Sequence, residues 1–211
     1  LYQNRVIVRH EDAGPITNAN LDQYDNAGDS DMMFTVTTNN ALYADGAKLL
    51  VWTGDTHTPG GTIITDPSSS SASTDGDVTV QTGSTLSVGS NSVSVGGDLW
   101  FQGSAVYSYS AGQTTTFTAT ATGHNLTLIT NGLANAVFNG TGGGWSFASD
   151  EAFSGDLTVT AGTLDLFNRN LTVNGGDVTG NGTISCTGTC SFVLDGAGNF
   201  GGATAWTFND L

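Results

Sequence analysis

The chain is poor in the residues that build most helical and mixed folds. Lys and Arg together number four, and Lys48 is the only lysine. Of its 19 acids only Glu11 and Glu151 are glutamates. Helices draw on Ala, Leu, Glu, Lys and Arg, so a helical bundle is excluded and an ordinary α/β enzyme fits badly. Four scattered cations cannot form the basic face that nucleic acid requires. No apolar run reaches the length of a membrane span, so membrane insertion is not expected either. Charged residues are 11% of the chain, less than half of the usual share of about 25%.

Gly, Thr, Ser and Asn take their place, filling 98 of the 211 positions. A chain of this length can bury a real core. Its net charge is −15, and the charge is unevenly placed. Arg5 and Arg9 are half of the basic residues, while from His10 onward 19 acids face two cations. Leu1 opens a polar N-terminus without a signal-peptide pattern, as expected of a mature chain or a fragment.

An internal repeat organises the sequence. Residues 76–99 read GDVTVQTGSTLSVGSNSVSVGGDL, and residues 155–178 read GDLTVTAGTLDLFNRNLTVNGGDV. Each holds three apolar-x-apolar triplets: Val78/Val80, Leu86/Val88 and Val93/Val95, then Leu157/Val159, Leu164/Leu166 and Leu171/Val173. A fainter copy runs through Phe34, Val36, Leu42, Ala44, Leu49 and Val51. Alternation at period two means strands with one buried face. Short strands of three to five residues between Gly/Asn turns predict an all-β chain. A parallel β-helix or β-solenoid fits best, and a β-sandwich is the alternative. Rungs of about 21 residues would number roughly eight to ten, with an irregular stretch within 105–150. The expected divisions are a cap or docking segment at 1–33, a first strand module at 34–65, a Ser-rich polar loop at 66–76, and solenoid repeats at 77–211.

From about Leu49 onward, LLVWTGDTHTPGGTI, AVFNGTGGGWSF, GDLTVTAGTLDLFNRNLTVNGGDV and TAWTFNDL resemble the repeats of very large secreted bacterial β-solenoid surface proteins. These are broadly similar to filamentous-haemagglutinin-type adhesins. The resemblance implies an extracellular or cell-surface location and an attachment, matrix or filament role without catalysis. The shared motif is structural, so it assigns no functional residue.

Several groups of residues are candidates for chemistry. Asp22, Asp25, Asn26, Asp29 and Asp31 could supply oxygens to calcium, or serve as turn formers in an Asx-rich loop. No other cofactor is expected. Cys186 and Cys190 flank a three-residue Gly-containing connection that reads as a hairpin, which would bring them within disulfide reach. Asp77, Asp98, Asp156 and Asp177 hold equivalent places after Gly and are expected to bind the backbone of the bends. Trp100, Tyr107 and Tyr109, if outward on one face, would form a glycan platform. Asp150 and Glu151 are adjacent and should point to opposite faces of a strand, which argues against a glycosidase pair.

His10, His57 and His124 are isolated. Gly140-Thr141-Gly142-Gly143-Gly144 lacks the Lys of a phosphate loop and reads as a tight bend. Thr114, Thr116, Thr118, Thr120 and Thr122 alternate along one strand face. Asn125, Asn139, Asn170 and Asn181 open N-glycosylation sequons but read first as turn asparagines. Finally, Arg5-Val6-Ile7-Val8-Arg9 reads as a basic strand able to add to an exposed sheet edge. The expected function is therefore an adhesive stalk or a self-assembling filament subunit, with other copies or the rest of a longer solenoid as partners. The alternatives are a carbohydrate-binding module that takes surface polysaccharide and, more remotely, a glycan-cleaving β-helix enzyme.

Overall fold

A computed structural model describes residues 7–10, 33–36, 42–44, 49–51, 54, 56–59, 62–65, 67–70, 76–128 and 132–201. The described residues contain strands and no helix, and every strand pairing is parallel. The chain is a β-solenoid, and its rungs visit three faces in turn. One rung shows the order: Val78–Val80 on the first face, Thr85–Gly89 on the second, Val93–Val95 on the third. About five complete turns lie between Val78 and Gly180.

The ladders explain why two-residue alternation suffices for a core. On the third face Ile63, Val93, Thr115, Ala136, Leu157 and Val178 stand in register, and each is buried. On the first face Leu49, Val78, Leu99, Leu126 and Phe147 do the same. Parallel strands lie about 4.8 Å apart, so each inward side chain rests on its counterpart. Full burial of one aliphatic or aromatic side chain stabilises by about 1.5–3 kcal/mol. Large rings fill the middle: Phe138 stacks on Phe117 at 4.6 Å and meets Trp145 at 5.2 Å. The buried Thr115 hydroxyl is satisfied by Tyr107 at 3.1 Å and Gln113 at 3.3 Å.

Two strands exceed the expected three to five residues. Asn135–Phe147 and Leu157–Asp165 run continuously from the third face onto the first. Glycines permit this. Gly162, at φ 81°, lies so close to the Gly140 and Gly143 carbonyls that an added Cβ would stand 2.7 Å from each. The predicted tight bend at 140–144 is thus a corner inside one strand.

The rungs on either side of the Ser-rich loop pair directly. Leu49–Val51 joins Val78–Val80, and Ile63–Ile64 joins Val93–Ser94. The Thr65 hydroxyl donates to the Gly76 carbonyl at 2.6 Å, and the Ser68 N–H donates to Gly96 at 2.7 Å. The loop therefore leaves and returns at one corner.

The second face is different. Its strands Thr56–His57, Thr85–Gly89 and Val106–Tyr109 form one sheet, while Glu151–Phe153, Leu171–Asn174 and Phe192–Asp195 form another. Leu133, on the rung between them, bridges to Phe153, and residues 129–131 of that rung lie outside the described residues.

Candidate functional site

The acidic residues are organised by the corners of the solenoid. Asp77 accepts from the Asp98 N–H at 2.7 Å, and Asp98 accepts from the Asn125 N–H at 3.1 Å. At another corner Asn135 accepts from Asp156 at 2.8 Å, Asp156 from Asp177 at 2.9 Å, and Asp177 from Asn199 at 2.8 Å. A further line runs from Asp150 to the Asn170 N–H and from Asn170 to the Ser191 N–H, both at 2.9 Å. Asp165 holds the Thr187 N–H at 3.2 Å, and Asn168 holds the Thr189 N–H at 3.0 Å. In every link a side chain of one rung accepts from the backbone of the next rung in sequence. The four Asp residues expected to bind bends do so, and the bend they bind is their neighbour's.

Reach explains the composition. An Asp or Asn carbonyl oxygen can span the roughly 4.8 Å between rungs and satisfy an N–H left over where the ladder turns. Glu is one methylene longer and more costly to order. Asp77, Asp98, Asp150, Asp156, Asp165 and Asp177 all make such a link.

Glu151 stands apart from these corner lines. It is buried, in register with Leu171 and Phe192 in an otherwise apolar column. Its carboxylate accepts from the Ser149 hydroxyl at 2.7 Å and from the Leu128 backbone. Burial nevertheless pushes its pKa up to about 7. The adjacent Asp150 is exposed, and the Asn170 backbone and side-chain N–H groups hold its carboxyl below the usual range. The two neighbours thus sit in opposite environments, as the strand alternation predicts.

Both line a cleft of about 670 Å³ on the second face. Phe101, Ala105, Val106 and Leu128 form its apolar wall, and Ser104, Ser149, Asn170 and Thr172 contribute polar groups. The cleft has one deeply set carboxyl and one solvated carboxylate. Such a pair can accept hydrogen bonds from ligand hydroxyls and exchange a proton near neutral pH.

The predicted aromatic platform does not form. Trp100 is 50% exposed on the first face, but Tyr107 lies on the second and is 3% exposed. Tyr107 packs on Phe101 and Tyr109, each at 5.2 Å, and Tyr109 is half-buried. The cause is register: Tyr107 stands over Leu86, in the inward column. That pairing, 21 residues apart, is visible in the sequence and was the signal for its burial.

Cys186 and Cys190 are bonded, with Cα atoms 6.1 Å apart. The connection is a solenoid corner and no hairpin, because Thr183–Ser185 and Phe192–Asp195 each pair in parallel with the preceding rung. His124 is fully buried and places Nδ1 3.0 Å from Asp98. The outward column through Thr116 reads Ile64, Ser94, Thr116, Val137, Thr158, Thr179, so the Thr row does not extend into a flat array. Of the sequon asparagines, Asn170 is engaged on both sides by Asp150 and Ser191. Asn125, Asn139 and Asn181 are exposed.

Ile7–His10 forms a strand paired in parallel with Met33–Val36. It contains Ile7, Val8 and Arg9 of the expected assembly strand, while Arg5 and Val6 lie outside the described residues. So do Asp22, Asp25, Asn26, Asp29 and Asp31. Among the described residues no group of three His, Cys, Asp or Glu could hold a metal ion.

No protein-family model, no curated protein and no solved structure matches this chain. Its class is defined by its architecture, a parallel β-solenoid with Asx-laddered corners.

Proposed function

We propose that the chain is a structural element of an extracellular or cell-surface protein, a stalk or filament subunit that extends by end-to-end rung stacking. The observation that carries this reading is the direction of the corner ladders. Each rung gives side-chain acceptors to its successor and receives them from its predecessor. A stack built this way has unlike ends, one rich in acceptors and the other in backbone donors. Head-to-tail addition matches them, and contacts of that kind propagate.

The last described rung supports it. Phe192–Asp195 pairs only with Leu171–Asn174 among the described residues. Val193 and Phe200 are 43% and 41% exposed there, and Asn199 ends one acceptor line. A sheet edge with apolar flanks favours strand addition. The Arg5–Arg9 region supplies complementary charge to an acidic body, and the Cys186–Cys190 disulfide suits an oxidising compartment. An adhesive role at the cell surface accords with the resemblance of the repeats.

Electron microscopy and light scattering of the purified chain test the proposal. Elongated particles should grow with concentration. Removing residues 1–10, or introducing Asp195→Lys at the acceptor end, should suppress growth without unfolding the chain. Monodisperse single particles at high concentration, with or without residues 1–10, would overturn it.

A further inference from the structure

The second face carries an inference separate from assembly. The cleft there, about 670 Å³, falls inside the range of about 300–1,000 Å³ typical of small-molecule sites. It lies on the flank of the solenoid, so stacking at the ends would leave it open.

Its chemistry is selective. Ser104 and Val106 are exposed at the mouth, and Glu151 is buried. No lysine, arginine or histidine is among the described lining residues; Arg169 acts on Asp150 from outside the lining, and an anionic ligand would still meet two carboxyl groups. A metal ion has no three-ligand group to hold it among the described residues. What remains is a ligand rich in hydroxyl donors. Carboxylates, Ser hydroxyls and the Asn170 amide bind vicinal hydroxyls well. Val106 and Leu128 offer an apolar wall to the C–H face of a sugar ring.

The position of Glu151 is the second argument. The column it occupies continues as Leu171 and Phe192. A carboxyl there costs burial, and Asp or Asn at a corner supplies the rung-to-rung bonds elsewhere. Leu would fill the column better, whereas Glu places a hydroxyl acceptor at the base of the cleft.

We propose that this cleft binds a short neutral oligosaccharide, with Asp150 and Glu151 accepting from ring hydroxyls and Val106 and Leu128 packing on the ring. The proposal rests on no outcome of the assembly experiment. Its test is isothermal titration of the full chain with neutral hexasaccharides of glucose, mannose and galactose, and with a hexagalacturonate as the charged probe. At least one neutral probe should bind saturably. Ser104→Trp, which fills the mouth, should weaken it by about tenfold or more. Trp100→Ala, on another face, should leave it unchanged. Glu151→Gln should lower affinity while circular dichroism shows a folded chain; an effect on melting temperature only would make Glu151 a structural pin and overturn its assigned role. The site itself is overturned by an absence of heat with every neutral probe at millimolar concentration. Unaltered binding to Ser104→Trp, or preference for the hexagalacturonate, would overturn it too.

Discussion

The third and second faces of the solenoid are built from the same alphabet yet differ in one respect. The third-face ladder runs unbroken from Leu42–Ala44 to Val178–Gly180, with a buried residue at each described inward position. The described second-face strands fall into two sheets, one ending at Val106–Tyr109 and the other opening at Glu151–Phe153, where the inward column holds Glu151. In the third-face column from Ile63 to Val178 the one polar side chain is Thr115, whose hydroxyl is satisfied by Tyr107 and Gln113. In the second-face column a carboxyl takes an inward place beside a cleft.

The largest test of this contrast is to damage the regular face. Phe138 is fully buried between Phe117 and Trp145. Phe138→Ala should cost about 3–5 kcal/mol, read as a lower urea midpoint. A loss under about 1 kcal/mol would mean that the stacked column collapses freely, and the rigid-ladder picture would not survive.

The irregular face should answer to pH instead. The Glu151 pKa is raised from 4.5 to about 7 in the folded chain. Between those values the folded state keeps a proton that the unfolded chain has released. Stability from this group is therefore fully present below about pH 4.5 and is lost as pH rises through about 7. Glu151→Gln cannot ionise, so its stability relative to the parent should improve from pH 4.5 to pH 8. Water in the cleft screens the group, which limits the gain to about 1–2 kcal/mol. Paired urea titrations at the two pH values measure it. A constant gap between the two proteins would show that Glu151 does not carry the shift, and other carboxylates such as Asp150 cancel in the comparison.

The regular ladders of the first and third faces were legible because their determinants are local and repeated. Val78, Leu99 and Leu157 each follow an Asp and open an apolar-x-apolar triplet. The short Cys186–Cys190 separation made the disulfide legible even though a corner, and no hairpin, creates it. Burial of Tyr107 and Glu151 was not legible from local alternation. Both strands alternate two ways with equal ease: Val106 and Ser108 against Tyr107 and Tyr109, Asp150 and Ala152 against Glu151 and Phe153. Only inter-rung register decides, since Leu86 precedes Tyr107 by 21 residues and Leu171 follows Glu151 by 20. The cleft was hidden for a further reason. Its lining runs from Phe101 to Thr172, and no local motif brings those residues together.

The smallest effect tests the corners, which both faces share. Asp156 accepts one N–H from Asp177, 21 residues on, at 2.9 Å, and it is exposed. Asp156→Ala should cost about 0.5–1.5 kcal/mol, the net worth of one hydrogen bond in contact with water. Asp156→Asn keeps an acceptor at the same reach and should recover most of that loss. Asp156→Glu keeps the charge but lengthens the arm, so it should recover little. If Glu served as well as Asp, charge and not reach would set the ladder. The scarcity of glutamate, two residues against 17 aspartates, would then need another cause. If Asn fails where Glu succeeds, the links are electrostatic and should weaken in salt. Equal loss in all three variants would mean that the Asp177 N–H turns to water, and that the corner ladders record the path of the chain without holding it.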